Sequence, residues 1–273
     1  MAFIGRHVSI AGSMDLAFDR AKALDCTAMQ IFVTNPRGWK LSPVGKDSEA
    51  AFRKKGSATG IVSVAHMPYL PNIASSNKDS FSKSVESLVE NIERCDKLNI
   101  AYLVTHMGSH LSQGKEKGIE NVVQAVSTAL ERSKKVKILL ENEAGHKNSV
   151  GDKIEDLVKV SELVRSDRLG FCLDTCHLFA SGYDITTHEV LDNVFGLLSI
   201  DKVFAIHLND AKKELGSRLD RHANIGYGYI RVEGFRSFLN YKGIAGKAII
   251  LETPVGEEIS EADEITLVKS LLP

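Results

Sequence analysis

The sequence has few of the features that indicate secretion, disulfide stabilisation or a membrane segment. Its 273 residues include only 4 cysteines, and none of them forms a CxxC pair (Cys26, Cys95, Cys172 and Cys176). This usage predicts reduced, buried thiols in a cytosolic protein. The longest apolar runs are strand-length, and residues 1–7 lack the apolar core of a signal peptide. We therefore expect no membrane segment and no export.

An excess of charge of one sign is also missing. The chain has 34 lysines and arginines against 35 aspartates and glutamates, which gives a formal net charge of −1. This balance excludes a uniformly basic nucleic-acid-binding protein, although it leaves room for a local basic groove. With 43% hydrophobic residues the chain can bury a large core. No linker or low-complexity tract divides it, so we predict one domain over residues 1–273.

The sequence does contain a repeated unit, in which a short apolar run precedes a longer amphipathic stretch. Eight runs are visible, at His7–Ile10, Ala28–Val33, Ile61–Met67, Tyr102–Met107, Lys137–Asn142, Leu169–Thr175, Val203–Asn209 and Ala248–Thr253. Runs without alternation are typical of parallel strands covered on both faces. Eight such units predict an α/β fold, a single (β/α)8 TIM barrel. The alternative is an open doubly wound sheet, but the glycine-rich GxGxxG turn that favours it is absent after the first run.

Six of the predicted strands end in an imidazole or a carboxylate. From the third strand to the eighth, these residues are His66, His106, Glu141, Asp174, His207 and Glu252. In a barrel all C-terminal strand ends face one mouth, where active sites lie. A single residue of this kind is usually structural. Six such residues at the C-terminal ends of neighbouring strands favour bound cations, because buried charges without partners are costly.

The loops that follow these strands add three candidate ligands. His177 comes three residues after Asp174, and Asp220 and His222 flank Arg221 in a long polar loop. The nine residues comprise five imidazoles and four carboxylates, about enough for three ions. Such mixed ligation suits Zn²⁺, with Mn²⁺ or Fe²⁺ as alternatives at a more oxygen-rich position. Two metals about 3.5–4 Å apart suit displacement at phosphorus, so the pattern predicts a phosphoesterase.

Long motifs in the chain resemble the endonuclease IV family, the metal-dependent apurinic/apyrimidinic endonucleases of base-excision repair. One motif reads LGFCLDTCH at 169–177 and continues as ASGYD at 180–184. Another reads HLNDAK at 207–212 and is followed by Asp220-Arg221-His222 and Ile225-Gly226. The segments THMGSH at 105–110 and HVSIAG at 7–12 also fit. The resemblance extends from about His7 to Pro254, which is nearly the whole chain.

This resemblance implies a TIM barrel with a trinuclear zinc cluster. Glu141 would bridge the first two zinc ions and take part in catalysis. The first ion would be completed by His66 and His106, the second by Asp174, His207 and Glu252, and the third would be held by His177, Asp220 and His222. The implied activity is hydrolysis of the phosphodiester 5′ to an abasic site, which leaves a 3′-hydroxyl and a 5′-deoxyribose phosphate. Trimming of blocked 3′ ends is also implied.

The resemblance further implies a duplex DNA partner that contains abasic sites. Arg37 would insert through the duplex, while Tyr69 and Leu70 would invade the minor groove. Independently of the resemblance, we expect Arg221 to contact DNA within a basic rim of mouth-side loops (Lys40, Lys147, Lys153, Lys212, Lys213, Arg218 and Arg221). A monomer is expected, located in the cytoplasm or at the nucleoid of a prokaryote. The chain departs from the family pattern at Glu143, where a threonine is usual, but no expected ligand is lost.

Two other functions compete with the nuclease. A sugar isomerase or epimerase of the same barrel superfamily needs only the late strand-end ligands, namely Glu141, Asp174, His207 and Glu252. The surplus of His66, His106, His177, Asp220 and His222 has no role in enolisation. A non-catalytic protein that binds abasic DNA is expected to have lost ligands, and none is missing. The sequence therefore predicts the nuclease.

Overall fold

Eight parallel strands close into a barrel in the computed structural model, which describes residues 2–36, 38–39 and 43–273. The barrel strands are β1 (Phe3–His7), β2 (Ala28–Phe32), β3 (Val62–His66), β4 (Tyr102–His106), β5 (Lys137–Glu141), β6 (Leu169–Asp174), β7 (Val203–His207) and β10 (Ala248–Leu251). Strand β1 pairs in parallel with both β2 and β10, which closes the ring. The predicted TIM barrel is therefore confirmed. A short antiparallel ribbon of β8 (Asp210–Ala211) and β9 (His222–Ala223) lies in the loop after β7.

Helices cover the outside of the barrel. In chain order they are α1 (Leu16–Ala23), α2 (Lys46–Thr59), α3 (Lys78–Leu98), α4 (Lys115–Leu130), α5 (Ile154–Val164), α6 (Thr175–Ser181), α7 (His188–Leu198), α8 (Arg231–Leu239) and α9 (Glu261–Ser270). Polar caps fix several helix starts; Asn77, for example, accepts the Ser80 N–H at 2.9 Å at the start of α3. Among the helices in the described part of the chain, none is long and apolar enough to cross a membrane.

The barrel interior has an apolar layer below and a polar layer at the mouth. The apolar layer consists of Ala28, Val64, Val104, Leu139, Cys172, Ala205, Ala248 and Ile250. Side chains alternate along a strand, so residues two positions further along each strand also point inward. At the C-terminal strand ends this rule selects a second layer, made of His7, Gln30, His66, His106, Glu141, Asp174, His207 and Glu252. Every barrel strand therefore contributes one polar side chain to the mouth.

The predicted position of the first strand, His7–Ile10, is wrong, because β1 spans Phe3–His7. Gly5 and Arg6 give this segment a composition unlike that of a buried strand. Glycine is required because β1 and β2 approach closely: a Cβ at position 5 would lie 1.7 Å from the Ala28 carbonyl oxygen. Arg6 is buried, and its Nε lies 3.0 Å from Glu261 in α9. An ion pair with a helix thus accounts for the charge in the strand.

The buried carboxylate of Glu264 generates a stability prediction. It accepts hydrogen bonds from the Thr253 hydroxyl at 2.6 Å and the Ile225 N–H at 2.8 Å, and it lies 3.8 Å from Arg6 Nη1. Glu264→Ala leaves the buried guanidinium without this partner, so we expect a loss of about 3–5 kcal/mol in unfolding free energy. Equilibrium urea unfolding measures the loss. The exposed Glu258→Ala serves as the control, with a change within about 0.5 kcal/mol. Equal stability of both variants would contradict this role.

Candidate metal centre

The carboxylate of Glu141 lies at the centre of the polar layer. It ends β5 and is fully buried. Its Oε2 lies 3.1 Å from His66 Nε2 and 3.4 Å from His106 Nε2. Its Oε1 lies 2.8 Å from His207 Nδ1 and 3.6 Å from His177 Nδ1. His177 Nδ1 is hydrogen-bonded to a carbonyl oxygen, so the nitrogens offered to a cation are those of His66 and His106 beside Oε2 and that of His207 beside Oε1. With imidazole nitrogens beside both of its oxygens, the carboxylate is placed to bridge two cations.

A second donor group lies on the β6, β7 and β10 side of the mouth. One ligand atom from each of Glu141, Asp174, His207 and Glu252 lies within 4.8 Å of the others. His207 Nδ1 is 3.3 Å from Glu252 Oε2, whereas its Nε2 lies 2.8 Å from Gln30 Oε1. The amide oxygen of Gln30 can only accept a hydrogen bond, so Nε2 carries the proton. The lone pair of Nδ1 then faces the carboxylates and can bind a cation.

A third donor group consists of His177, Asp220 and His222. The Oδ1 atom of Asp220 lies 3.3 Å from His177 Nε2 and 3.2 Å from His222 Nε2. Within the described residues, neither of these buried Nε2 atoms makes a hydrogen bond of acceptable geometry. Two buried nitrogens and one carboxylate that meet without hydrogen bonds are the donor set that a divalent cation takes. These residues therefore fit a metal ion.

Local structure brings His177 to the same mouth as the strand-end residues. Asp174 caps helix α6, and its Oδ1 accepts the N–H of His177 at 2.8 Å. Asn142 fixes this turn, because its side chain exchanges two hydrogen bonds with the backbone of Asp174, at 2.8 and 3.2 Å. The carbonyl oxygen of Asn142 also lies 3.0 Å from His177 Nδ1. The cap and this amide together orient the imidazole.

The β8–β9 ribbon returns the long polar loop to the barrel. Its register pairs Ala211 with His222, which places His222 beside the strand-end ligands. The buried carboxylate of Asp210 fastens the rest of the loop by accepting four backbone N–H groups at 2.8–3.0 Å, those of Ala211, Gly226, Gly228 and Ile230. Hydrogen bonds between its own backbone and Asp210 therefore fix the position of this loop.

Charges within the cluster are strongly coupled. Burial raises the pKa of Glu141, but His106 and His207 outweigh it and hold that pKa well below its usual range. Burial lowers the pKa of His106 and His222, yet nearby carboxylates raise each of these to about 9. In the metal-free chain, protonated imidazoles therefore balance the buried carboxylates. Cation binding has to displace those protons.

Of the predicted DNA-contacting residues, the structure describes Tyr69, Leu70 and Arg221. Tyr69 and Leu70, in the loop after β3, are 67% and 43% exposed. Tyr69 and Arg221 line a cavity of about 430 Å³ together with cluster residues such as His66 and His222. Partial desolvation of the phenol against the cavity wall and the nearby Glu252 raise the pKa of Tyr69 to about 12, so its phenol is neutral. Arg37 and Lys40 lie outside the described residues.

Several residues that orient the candidate ligands are not identified by the sequence analysis. Gln30 donates to Glu252 Oε1 at 2.6 Å and lies 3.2 Å from His7 Nδ1. Asn209 donates to Asp174 Oδ2 at 2.7 Å. The signal for them in the sequence is a polar amide inside an apolar run, as for Gln30 in 28–33, or at its end, as for Asn209 in 203–209. His7, which ends β1, lies 3.8 Å from Glu252 Oε1.

The cysteines beside Asp174 have no apparent role as ligands. Cys172 belongs to the apolar interior of the barrel. The Sγ atom of Cys176 lies near Asp174 and His222, but its thiol donates to the carbonyl oxygen of Arg221 at 3.6 Å. Burial raises the pKa of the Cys176 thiol, which keeps it protonated. Core packing, as predicted, describes both residues.

A closed parallel barrel with converging imidazoles and carboxylates defines a TIM-barrel protein with a candidate multi-metal centre. A family model described as a xylose isomerase-like TIM barrel matches residues 18–269. The chain is 44% identical to a probable endonuclease 4 of Cenarchaeum symbiosum, over 98% of this chain and 99% of that one. A probable endonuclease 4 of Methanoculleus marisnigri is also 44% identical, over 99% of each chain. The chain belongs to the endonuclease IV family.

Solved structures agree with this assignment. Endonuclease IV from Thermus thermophilus superposes with a TM-score of 0.89 at 33% identity, and the match covers 98% of each chain. A D-tagatose 3-epimerase-like protein gives a TM-score of 0.76 at 21% identity, over 98% of this chain and 96% of that one, which reflects the shared barrel. The sugar isomerase alternative is therefore not favoured.

The third donor group can be tested by metal content. Asp220→Asn keeps the side-chain volume but removes the charge between the two imidazoles, so we expect the variant to lose one metal ion per chain. Elemental analysis after dialysis against Zn²⁺-buffered solution measures this. The matched control is Asp184→Asn, whose carboxylate bonds Thr186 outside the cluster. Unchanged metal content in Asp220→Asn would exclude the residue as a ligand.

Proposed function

We propose that this chain is a zinc-dependent apurinic/apyrimidinic endonuclease. It hydrolyses the phosphodiester 5′ to an abasic site in double-stranded DNA, leaves a 3′-hydroxyl and a 5′-deoxyribose phosphate, and trims blocked 3′ ends. Membership of the endonuclease IV family supports the activity. The observation that carries the proposal is the buried Glu141, because its two oxygens face different imidazoles, His66 and His106 on one side and His207 on the other. The resemblance supports a monomer, in the cytoplasm or at the nucleoid of a prokaryote.

We assign three ions to the nine residues. Glu141 joins the first set to the second; the first contains His66 and His106, the second Asp174, His207 and Glu252, and the third His177, Asp220 and His222. The imidazole content favours Zn²⁺, and the second, oxygen-rich set is where Mn²⁺ or Fe²⁺ would compete. When bound, such cations supply Lewis acidity to a phosphate oxygen and lower the pKa of an attacking water.

The dimensions of the site favour a nucleotide turned out of the duplex. The cavity beside the cluster holds about 430 Å³, a volume typical of a site for one small molecule. A base pair within a double helix cannot enter such a space, so the target nucleotide has to rotate out of the duplex. An abasic sugar does so at least cost, because it has no base to unpair or unstack. Tyr69 is exposed and lines this cavity, and with the exposed Leu70 next to it in the chain it would fill the gap in the duplex.

A basic groove adjoins the cluster at Arg221. This second cavity, of about 700 Å³, is lined by Lys212, Lys213 and Arg231 as well as by two exposed tyrosines, Tyr227 and Tyr229. Cations suit the phosphodiester backbone, and exposed aromatic rings suit unstacked bases. Two glutamates, Glu257 and Glu258, line the same groove, and Lys212 pairs with Glu257 at 2.7 Å. The groove is thus a local basic patch, although the net charge of the whole chain is −1.

Cleavage of a duplex that carries one abasic site tests the proposed function. We expect the zinc-loaded chain to cut it 5′ to the lesion, a chelator to stop cleavage, and added Zn²⁺ to restore it. Glu141→Gln should lower kcat by several orders of magnitude while DNA binding survives, because an amide bridges two cations poorly. A folded, metal-loaded chain that leaves the abasic duplex intact would refute the activity. Glu141→Gln cleavage within about tenfold of the unaltered chain would refute the bridging role.

Tyr69 and Leu70 should act on DNA affinity rather than on the metal centre. We expect Tyr69→Ala combined with Leu70→Ala to weaken selective binding to abasic duplex by about 10-fold to 100-fold, with metal content unchanged. Fluorescence anisotropy on duplexes with and without the lesion measures this difference. Leu163→Ala, which removes a 52% exposed side chain on α5, is the control. Unchanged affinity and cleavage in the double variant would mean that the loop residues only pack.

A further inference from the structure

The imidazoles of the cluster differ in what their outer nitrogen contacts. For His66, His177 and His222 that nitrogen lies near a backbone carbonyl oxygen, at 2.6, 3.0 and 3.3 Å. For His207 it lies 2.8 Å from the amide oxygen of Gln30. All four of these hydrogen-bond partners are neutral acceptors, and the Nδ1 atom of His177 also lies 3.6 Å from Glu141 Oε1 within the cluster.

His106 is the exception, because its outer nitrogen faces a carboxylate outside the nine candidate ligands instead of a neutral acceptor. The Nδ1 atom of His106 lies 3.2 Å from Glu143 Oε1, while its Nε2 points to Glu141. The contact is an ion pair without the angle of a good hydrogen bond. In the described part of the chain, no lysine or arginine lies within ion-pair distance of Glu143. The carboxylate therefore acts on the imidazole without competition from another side-chain cation.

The position of Glu143 is fixed by its own backbone and by a neighbouring loop. Its N–H donates to the carbonyl oxygen of Gly151 at 2.9 Å. Its Oε1 accepts the N–H of Gly108 at 3.3 Å, so the loop after β4 holds the carboxylate in place. The side chain is only 12% exposed, which limits screening of its charge by water.

We propose that Glu143 is a positioning residue that strengthens metal binding through His106. The carboxylate keeps the proton on Nδ1, which leaves the lone pair of Nε2 directed at the cluster. Glu143 thereby acts on the His66–His106–Glu141 set through the His106 imidazole. Partners of this kind typically change metal affinity by about 10-fold to 100-fold. This inference rests on the metal centre of the proposed function.

The test compares zinc retention in Glu143→Gln with that in the unaltered chain. Glutamine keeps an oxygen that can accept from Gly108 but has no charge. Titrating zinc-loaded protein with a chelator and counting retained ions should show one ion bound about 10-fold to 100-fold more weakly, with the other ions unchanged. Glu143→Asp, which keeps the charge, should recover part of the loss. The control Glu257→Gln removes a charge from the rim and should retain zinc like the unaltered chain.

A double-mutant cycle separates action through His106 from a general structural effect. In a His106→Ala background, Glu143→Gln should cause no further loss of zinc, because the group through which it acts is gone. Additive losses, or a Glu143→Gln chain that retains zinc like the unaltered chain, would overturn the inference while leaving the proposed function intact. An unaltered chain that binds no zinc would overturn both. Unfolding of the metal-free variants should match that of the metal-free unaltered chain, and a large loss there would identify Glu143 as structural.

Discussion

The site depends on keeping the Glu141 carboxylate ionised although water cannot reach it. A buried carboxylate is unstable unless positive charge faces it. Here four imidazole nitrogens, at 2.8–3.6 Å, surround its two oxygens. Those imidazoles are balanced in turn by Asp174, Asp220 and Glu252. A closed barrel can build such a cluster because every strand delivers one inward side chain at the same level of the mouth.

The candidate ligands are oriented by contacts within the protein itself. Amides hold His207 and the backbone of Asp174, a helix cap positions His177, and the β8–β9 ribbon returns His222 to the mouth. A centre that is ordered in advance loses less conformational freedom when it binds metal. The three donor groups differ in openness, because Glu141 is buried whereas the Asp220 side chain is 42% exposed. In the proposed function, the third group is therefore the side from which a substrate phosphate reaches the cluster.

Most of the fold and of the cluster can be read from the sequence because two local patterns coincide. Apolar runs identify the buried strands, and the polar residue that ends a run is placed at the mouth by the alternation of side chains. The first strand was misplaced because Gly5 and Arg6 satisfy constraints set elsewhere, namely the approach of Ala28 and the pairing with α9. Gln30 cannot be assigned to the site from the sequence, because an amide inside an apolar run does not by itself indicate a metal site and its partners, Glu252 and His207, are distant in the chain. Glu143 was noticed only as a departure from a family pattern, since its contact with His106 depends on how two loops meet.

In the proposed function, the residues at this mouth form one cluster for three ions, and Glu141 joins two of them. Anomalous diffraction from crystals of the zinc-loaded chain, recorded on both sides of the zinc absorption edge, tests it most directly. We expect three anomalous peaks at the barrel mouth, two of them about 3.5–4 Å apart on either side of the Glu141 carboxylate. A single peak, or peaks that Glu141 does not join, would contradict it.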